Sequence, residues 1–127
     1  MSQPSAPSSS LVPAATPLSD ADYQARTRRV LDQVEATVDA WLDADLIDID
    51  SHRSGGLLEL SFPGGSKIIL NTQAPLQELW LAARAGGFHF RYVDGQWLDT
   101  RSGAEFHQML SELASAQGSK ALLFKAA

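Results

Sequence analysis

The apolar residues in the first third of the chain recur with the period of a helix. From Asp20 to about Asp43 they are spaced by three, four or seven residues, at Tyr23, Val30, Leu31, Val34, Val38, Trp41 and Leu42. This spacing predicts a long amphipathic helix with one apolar face. Ser19 stands where a residue would cap its first turn, and Asp20 and Asp22 would favour the positive end of the helix dipole.

The pattern then changes to the alternation that is typical of strands. Ile47 and Ile49 alternate with Asp48 and Asp50, which predicts a strand with one acidic face. Turns rich in glycine and proline separate the apolar segments that follow. They predict strands at 57–62, 67–71 and 76–82, and a hairpin of 88–93 and 96–99 joined by Asp94-Gly95.

A second helix is predicted close to the C-terminus. Ser102 and Glu105 have the spacing of a capping box, and apolar residues follow at helical spacing from Phe106 as far as Gly118. The order is helix, about six short strands without long crossovers, and helix. Because each helix has one apolar face, we expect an α+β fold, a two-layer α-β sandwich with two helices packed on one face of an antiparallel sheet.

Residues 1–18 differ in composition from the rest of the chain. They contain mostly Ser, Pro and Ala and no charged side chain, which predicts a disordered N-terminal tail followed by one domain at 19–127. This start lacks the charged and apolar regions of a secretory signal. The sequence also has no run of about 18 apolar residues that could span a membrane. We therefore expect a cytoplasmic protein.

Charge and cysteine content restrict the chemistry. Fifteen acidic against ten basic residues give a formal charge of −5. This balance disfavours nucleic acid and favours cations or a basic protein surface as the partner. The absence of cysteine excludes disulfides, thiolate metal sites and cysteine nucleophiles. A bound metal would therefore need oxygen or imidazole ligands.

Seven carboxylates are predicted to follow one edge of the domain, which we call the acidic edge. Four lie in one stripe of the first helix, nearly opposite Val34 and Val38, and three lie in the turn and strand after it. Its members are Asp32, Glu35, Asp39, Asp43, Asp45, Asp48 and Asp50. A hard cation or a partner's Lys and Arg would relieve their mutual repulsion. The pattern leaves open that this is an ordinary solvated surface, and no EF-hand loop or His-Glu-x-x-His motif occurs.

Trp80 is predicted to lie on the sheet face that points away from the helices, which we call the open face. Alternation places Leu79 and Leu81 on the other side, toward the helices. His89 would share the open face, with Asn71 and Gln73 near it. An exposed tryptophan there would be a good anchor for a protein partner. The opposite register, with Trp80 in the core, is the alternative.

Several short motifs recur together in one known group of proteins. They are Asp48-Ile49-Asp50, Gly65-Ser66-Lys67-Ile68-Ile69-Leu70-Asn71, Gln73-Ala74-Pro75-Leu76, Leu79-Trp80-Leu81-Ala82 and Gly86-Gly87-Phe88-His89-Phe90. Through them, residues 19–124 resemble the bacterial frataxin (CyaY) family. Three positions, Ala36, Ala40 and Leu46, are apolar where the enterobacterial form tends to be acidic, and this departure predicts weaker iron binding.

The resemblance implies a function and assigns residues to it. It implies iron, Fe²⁺ or Fe³⁺, bound weakly at surface carboxylates, and docking on a cysteine desulfurase and an iron–sulfur scaffold protein. Such a protein would change the rate of iron–sulfur cluster assembly, would also be able to donate iron, and would be a monomer without metal. Glu35, Asp39, Asp48 and Asp50 match acidic positions of the family, and Trp80, Asn71, Gln73 and His89 match its partner-binding sheet surface. A ferroxidase or iron-storage protein is the alternative, so the resemblance leaves open whether the chain is an enzyme.

Overall fold

The computed structural model describes residues 12–126. It contains two helices, six strands and a short 3₁₀ turn at Ala74–Leu76. The helices are α1 (Asp20–Asp43) and α2 (Phe106–Gly118). The strands are β1 (Asp50–Ser54), β2 (Leu57–Ser61), β3 (Lys67–Gln73), β4 (Glu78–Ala83), β5 (Gly86–Val93) and β6 (Gln96–Asp99).

The six strands form one antiparallel sheet in chain order, β1-β2-β3-β4-β5-β6. The meander confirms the prediction of about six strands without long crossovers. At the β5–β6 turn, Asp94 and Gly95 both have positive φ values, of 46° and 93°. Two successive residues in that region form the turn that matches the twist of the flanking strands.

The core lies between the helices and one face of the sheet. It combines Tyr23, Leu31, Val34 and Val38 of α1 with Leu58, Leu60, Ile68, Leu70, Leu79, Leu81 and Phe90 of the sheet and Phe106, Leu110 and Ala114 of α2. Burial alternates along β2, β3 and β4, so each strand gives one face to the core. The predicted two-layer α-β sandwich is confirmed.

Three predicted strand starts are wrong. The first strand begins at Asp50, not Ile47, because Asp50 already pairs with Ser61, the last residue of β2. Residues 47–49 therefore have no partner strand, although Ile49 is buried and Asp48 exposed as expected. The fourth strand begins at Glu78, since Leu76 belongs to the 3₁₀ turn and is 60% exposed. The fifth strand begins at Gly86, not Phe88, because Gly86 and Gly87 pair with Ala83 and Ala82 of β4.

The start of α1 is as predicted, but the start of α2 is not. Ser19 caps α1 by accepting a hydrogen bond on Oγ from the backbone N–H of Asp22, at 3.0 Å. The N-cap of α2 is Glu105, whose carboxylate accepts bonds from two backbone N–H groups of the first turn. Ser102, the predicted cap, instead donates a 2.7 Å hydrogen bond to Asp99. Burial raises the pKa of Glu105, but its hydrogen bonds outweigh this, and the pKa lies below its ordinary value.

Residues 12–18 differ from the predicted disordered tail. Val12 is 5% exposed, and the backbone N–H of Thr16 donates to the carbonyl of Tyr92 at 2.8 Å. Residues 1–11, the remainder of that prediction, lie outside the described residues. None of the described helices is long and apolar enough to cross a membrane.

Candidate functional site

The acidic edge is exposed along most of its length. In α1, Val34 and Val38 are almost fully buried, while Asp32, Asp39 and Asp43 on the opposite side are exposed. The later members of the acidic edge, Asp45, Asp48 and Asp50, are also exposed. Glu35 is half-buried. Within α1, the helical spacing therefore predicted an outward position correctly for Asp32, Asp39 and Asp43, while Glu35 is partly covered.

Arg53 divides the acidic edge into two parts. Its Nη1 lies 2.9 Å from Oδ1 of Asp32 and 3.3 Å from Oε1 of Glu35, while its Nε donates to the carbonyl of Gly55. These two carboxylates are already matched by a positive group of the same chain. Within residues 12–126, no ion pair involves the other five acids. We call Asp39, Asp43, Asp45, Asp48 and Asp50 the uncompensated acids.

The C-terminal end of α1 concentrates this negative charge. Asp45 has a φ of 57°, and the N–H groups of Asp45 and Leu46 bond to the carbonyls of Leu42 and Trp41. This is a Schellman motif, in which the left-handed position is usually glycine. The last turn of α1 contains no basic residue. Carboxylates at the negative end of the helix dipole are unfavourable, and a nearby cation would stabilise them.

Ligand geometry limits how tightly a cation could be held. No group of three or more His, Cys, Asp or Glu side chains in residues 12–126 is arranged to hold a metal ion. The ammonium of Lys120 donates to the carbonyl of Leu46, so one cation of the chain lies beside the turn. A metal would therefore be bound by few carboxylates, with water completing its coordination.

On the open face, Trp80 is held rigidly. Leu79 and Leu81 are buried in the core, so Trp80 points away from the helices and is half-buried. Its ring stacks on His89 with centroids 4.1 Å apart and planes 6° from parallel. Its Nε1 donates a 2.8 Å hydrogen bond to Oε1 of Glu78. The predicted orientation of Trp80 is confirmed.

Neighbouring strands extend this surface. Asn71 pairs with Trp80 and Trp80 with His89 in the sheet register, so the three side chains form one row. Gln73 lies in the next row, opposite Glu78. A shallow depression of about 190 Å³ beside the stack could receive a protein side chain. The structure therefore brings together the four residues that the sequence predicted for partner binding.

Sequence reasoning gave no functional role to three charged residues near these surfaces. Glu78 is two residues before Trp80 in a strand, so alternation alone was enough to place it on the same face. Arg53 and Lys120 reach groups that are 21 and 74 residues away in the chain. No periodic pattern predicts such contacts.

The chain is similar to proteins of one family. A family model described as a frataxin-like domain matches residues 16–120. An iron-sulfur cluster assembly protein CyaY from Cupriavidus taiwanensis is 51% identical over 108 residues, which cover 85% of this chain and 97% of that protein. The protein of the same name from Burkholderia mallei is 51% identical over 109 residues, covering 86% of this chain and all of the relative.

Solved structures show the same fold. Frataxin from Psychromonas ingrahamii superposes with a TM-score of 0.76 at 30% identity, covering 86% of this chain and all of that one. A trimeric frataxin from the yeast Saccharomyces cerevisiae, complexed with ferrous iron, gives a TM-score of 0.64 at 24% identity, covering 87% of this chain and 95% of that one. At that identity the yeast protein supports the fold and nothing finer.

Proposed function

The chain belongs to the frataxin-like family, and we propose that it is an iron-binding regulator of iron–sulfur cluster assembly. On this proposal it binds iron weakly at the uncompensated acids, docks on a cysteine desulfurase and its scaffold protein, and changes their rate. Iron donation to the assembly complex and location in the cytoplasm belong to the same proposal. Family membership confirms the resemblance found in the sequence.

The observation that carries the proposal is the set of five exposed carboxylates without an ion-pair partner in residues 12–126. Hard cations such as iron prefer carboxylate oxygens to softer ligands. Because few carboxylates converge, each ion keeps most of its water and is exchanged readily. Weak, exchangeable binding suits a protein that delivers or senses iron better than one that stores it.

The same negative charge supports docking on a basic protein surface. Opposite charges on two proteins accelerate their encounter and fix their orientation, and salt screens the attraction. The open face supplies a second contact, since Trp80 is a rigid aromatic side chain beside a shallow depression. We therefore assign charge-based attraction to the acidic edge and shape-based contact to the open face.

No observation in the described residues favours the ferroxidase or iron-storage alternative. Such an enzyme needs carboxylates that bridge iron at fixed distances. The uncompensated acids belong to a helix end, a turn and a strand start, and they are exposed. Oxygen consumption after addition of Fe²⁺, compared with buffer alone, would reveal an oxidase activity directly.

The proposal is tested by the rate of cluster assembly on a purified desulfurase and scaffold protein. We expect the rate to change in proportion to the added chain and to depend on Fe²⁺. The effect should decrease as salt is raised. A rate that stays unchanged at every concentration of the chain, at low salt and with iron present, would contradict the proposal.

A further inference from the structure

Residues 12–18, which we call the N-terminal strap, for the most part precede the frataxin-like match. The frataxin-like match begins at residue 16. The strap nevertheless makes specific contacts with the domain.

Hydrogen bonds fix the strap at two points. At Thr16, the backbone N–H donates to the carbonyl of Tyr92 at 2.8 Å, and Oγ1 accepts from the N–H of Asp94 at 2.9 Å. At Leu18, the carbonyl accepts a 3.0 Å bond from Nε2 of Gln77. The strap is therefore held against the β5–β6 turn and against the residue that precedes β4.

The strap continues onto the open side of the sheet. Phe90 and Tyr92 belong to the core, so the alternating Arg91 and Val93 point to the open face. Nη1 of Arg91 lies 3.5 Å from the carbonyl oxygen of Pro13. Val12 and Val93 are 5% and 7% exposed, yet neither belongs to the core cluster. Val12 lies beside Gly103 in the loop that follows β6, with its Cγ2 3.8 Å from where a Cβ on Gly103 would be. From Leu18 at the start of β4, past Arg91 of β5, to Val12 beyond β6, the strap therefore crosses the open face where Val93 is buried.

We propose that the strap covers an extension of the open face around Arg91 and Val93, and that its release enlarges the surface available to a protein partner. Arg91 follows His89 by two residues on the same face of β5, and it pairs with Glu78, which bonds Trp80. The covered area is therefore continuous with the Trp80 surface. This inference rests on the proposed function, because it assumes that the open face docks on the assembly proteins.

The strap itself indicates which chemistry the covered area accepts. Its occupant is an uncharged, proline-containing segment that offers a buried aliphatic side chain at Val12 and a carbonyl to Arg91. A partner that replaces it would present an aliphatic side chain beside a carbonyl or carboxylate oxygen. One buried valine and a few hydrogen bonds are weak enough for such a partner to displace.

Release of the strap can be measured with a single thiol in the full chain. The chain has no cysteine, so Val93→Cys places one thiol in the covered area. Val12→Asp removes the apolar anchor, and Ala15→Asp adds the same charge at an exposed position of the same segment. We expect maleimide to label the introduced thiol about tenfold faster with Val12→Asp than with Ala15→Asp or with no second change. Equal labelling rates in the three proteins, with equal unfolding temperatures, would contradict the proposal that the strap covers this part of the open face.

Coupling to docking needs a second measurement with the desulfurase–scaffold complex. We expect Val12→Asp to bind that complex a few-fold more tightly than the wild type, and Ala15→Asp to bind like the wild type. Faster labelling without tighter binding would contradict the proposed link between release of the strap and docking, and would leave the proposed function intact. If no form of the chain binds at low salt, the docking part of the proposed function fails, and the inference about release fails with it.

Discussion

The acidic edge and the open face are built in opposite ways. The uncompensated acids are exposed and have no ion-pair partner in residues 12–126, whereas Trp80 is fixed by stacking on His89 and by a hydrogen bond to Glu78. Exposed charges attract cations of many shapes, and salt weakens that attraction. A rigid aromatic side chain loses little entropy on binding and selects by shape. The acidic edge therefore supplies a general attraction, and the open face supplies a specific contact.

The largest expected effect is on the open face. Trp80→Arg should weaken binding of the desulfurase–scaffold complex by about 30-fold or more, because buried tryptophans dominate binding energy at interfaces. Binding is measured by calorimetry at constant salt. Leu76→Arg is the matched control, since Leu76 is also large, apolar and 60% exposed, but belongs to the 3₁₀ turn. Equal affinities of the two variants would remove the open face from the docking surface.

Charge reversal on the acidic edge should have a smaller effect that depends on salt. Asp39→Lys with Asp48→Lys should weaken docking about tenfold at low salt and much less at high salt. The control is Asp22→Lys with Glu112→Lys, two exposed acids outside the acidic edge. If the two double variants bind equally well at low salt, net charge and not the acidic edge determines docking.

Asp45 tests whether the backbone at the end of α1 is strained, because it is a non-glycine residue with a positive φ. Asp45→Gly should raise the free energy of unfolding by about 1 kcal/mol, because glycine adopts the left-handed conformation without steric cost. Asp45→Asn removes the charge and keeps a side chain, so it separates charge from conformation. Urea unfolding measures both variants. A glycine variant no more stable than the wild type would show that this position stores no strain.

The smallest expected effect comes from Arg53. Arg53→Leu removes the positive partner of Asp32 and Glu35, so the affinity for Co²⁺, a stand-in for Fe²⁺, should rise a few-fold at that part of the acidic edge. Backbone NMR signals of α1 would report the change. An unaltered affinity would mean that Arg53 does not compete with the metal.

Lys67→Leu is the matched control for Arg53→Leu. Lys67 lies 2.7 Å from Glu59, and its hydrogen bond and charge hold the pKa of Glu59 below the ordinary value. The substitution should raise the pKa of Glu59 toward that value. It should leave Co²⁺ binding at α1 unchanged, because Glu59 is not part of the acidic edge.

Features that depend on periodic burial could be predicted from the sequence. The bounds of α1, the order of the strands and the outward direction of Trp80 all follow from which residues face the core. Features that depend on a distant partner could not be predicted. Residues 47–49 form no strand because β2 ends at Ser61, and Arg53 reaches Asp32 across 21 residues.

Specific side-chain and backbone contacts explain two further differences. Glu105, not Ser102, caps α2, because Ser102 is engaged by Asp99 of the preceding strand. The strap was predicted as disordered from its composition, but Thr16 finds hydrogen-bond partners about 80 residues further along the chain. A contact with the preceding strand replaced the expected cap at Ser102, and long-range contacts ordered the strap.

The central claim is that the uncompensated acids bind the metal. A titration of the wild-type chain with Co²⁺, followed by two-dimensional NMR, tests it most directly. The account predicts weak, saturable changes centred on residues 39–50, with the signals of Trp80 and His89 unaffected. Changes centred on the open face or on Asp32 and Glu35, or no change on any part of α1, would contradict it.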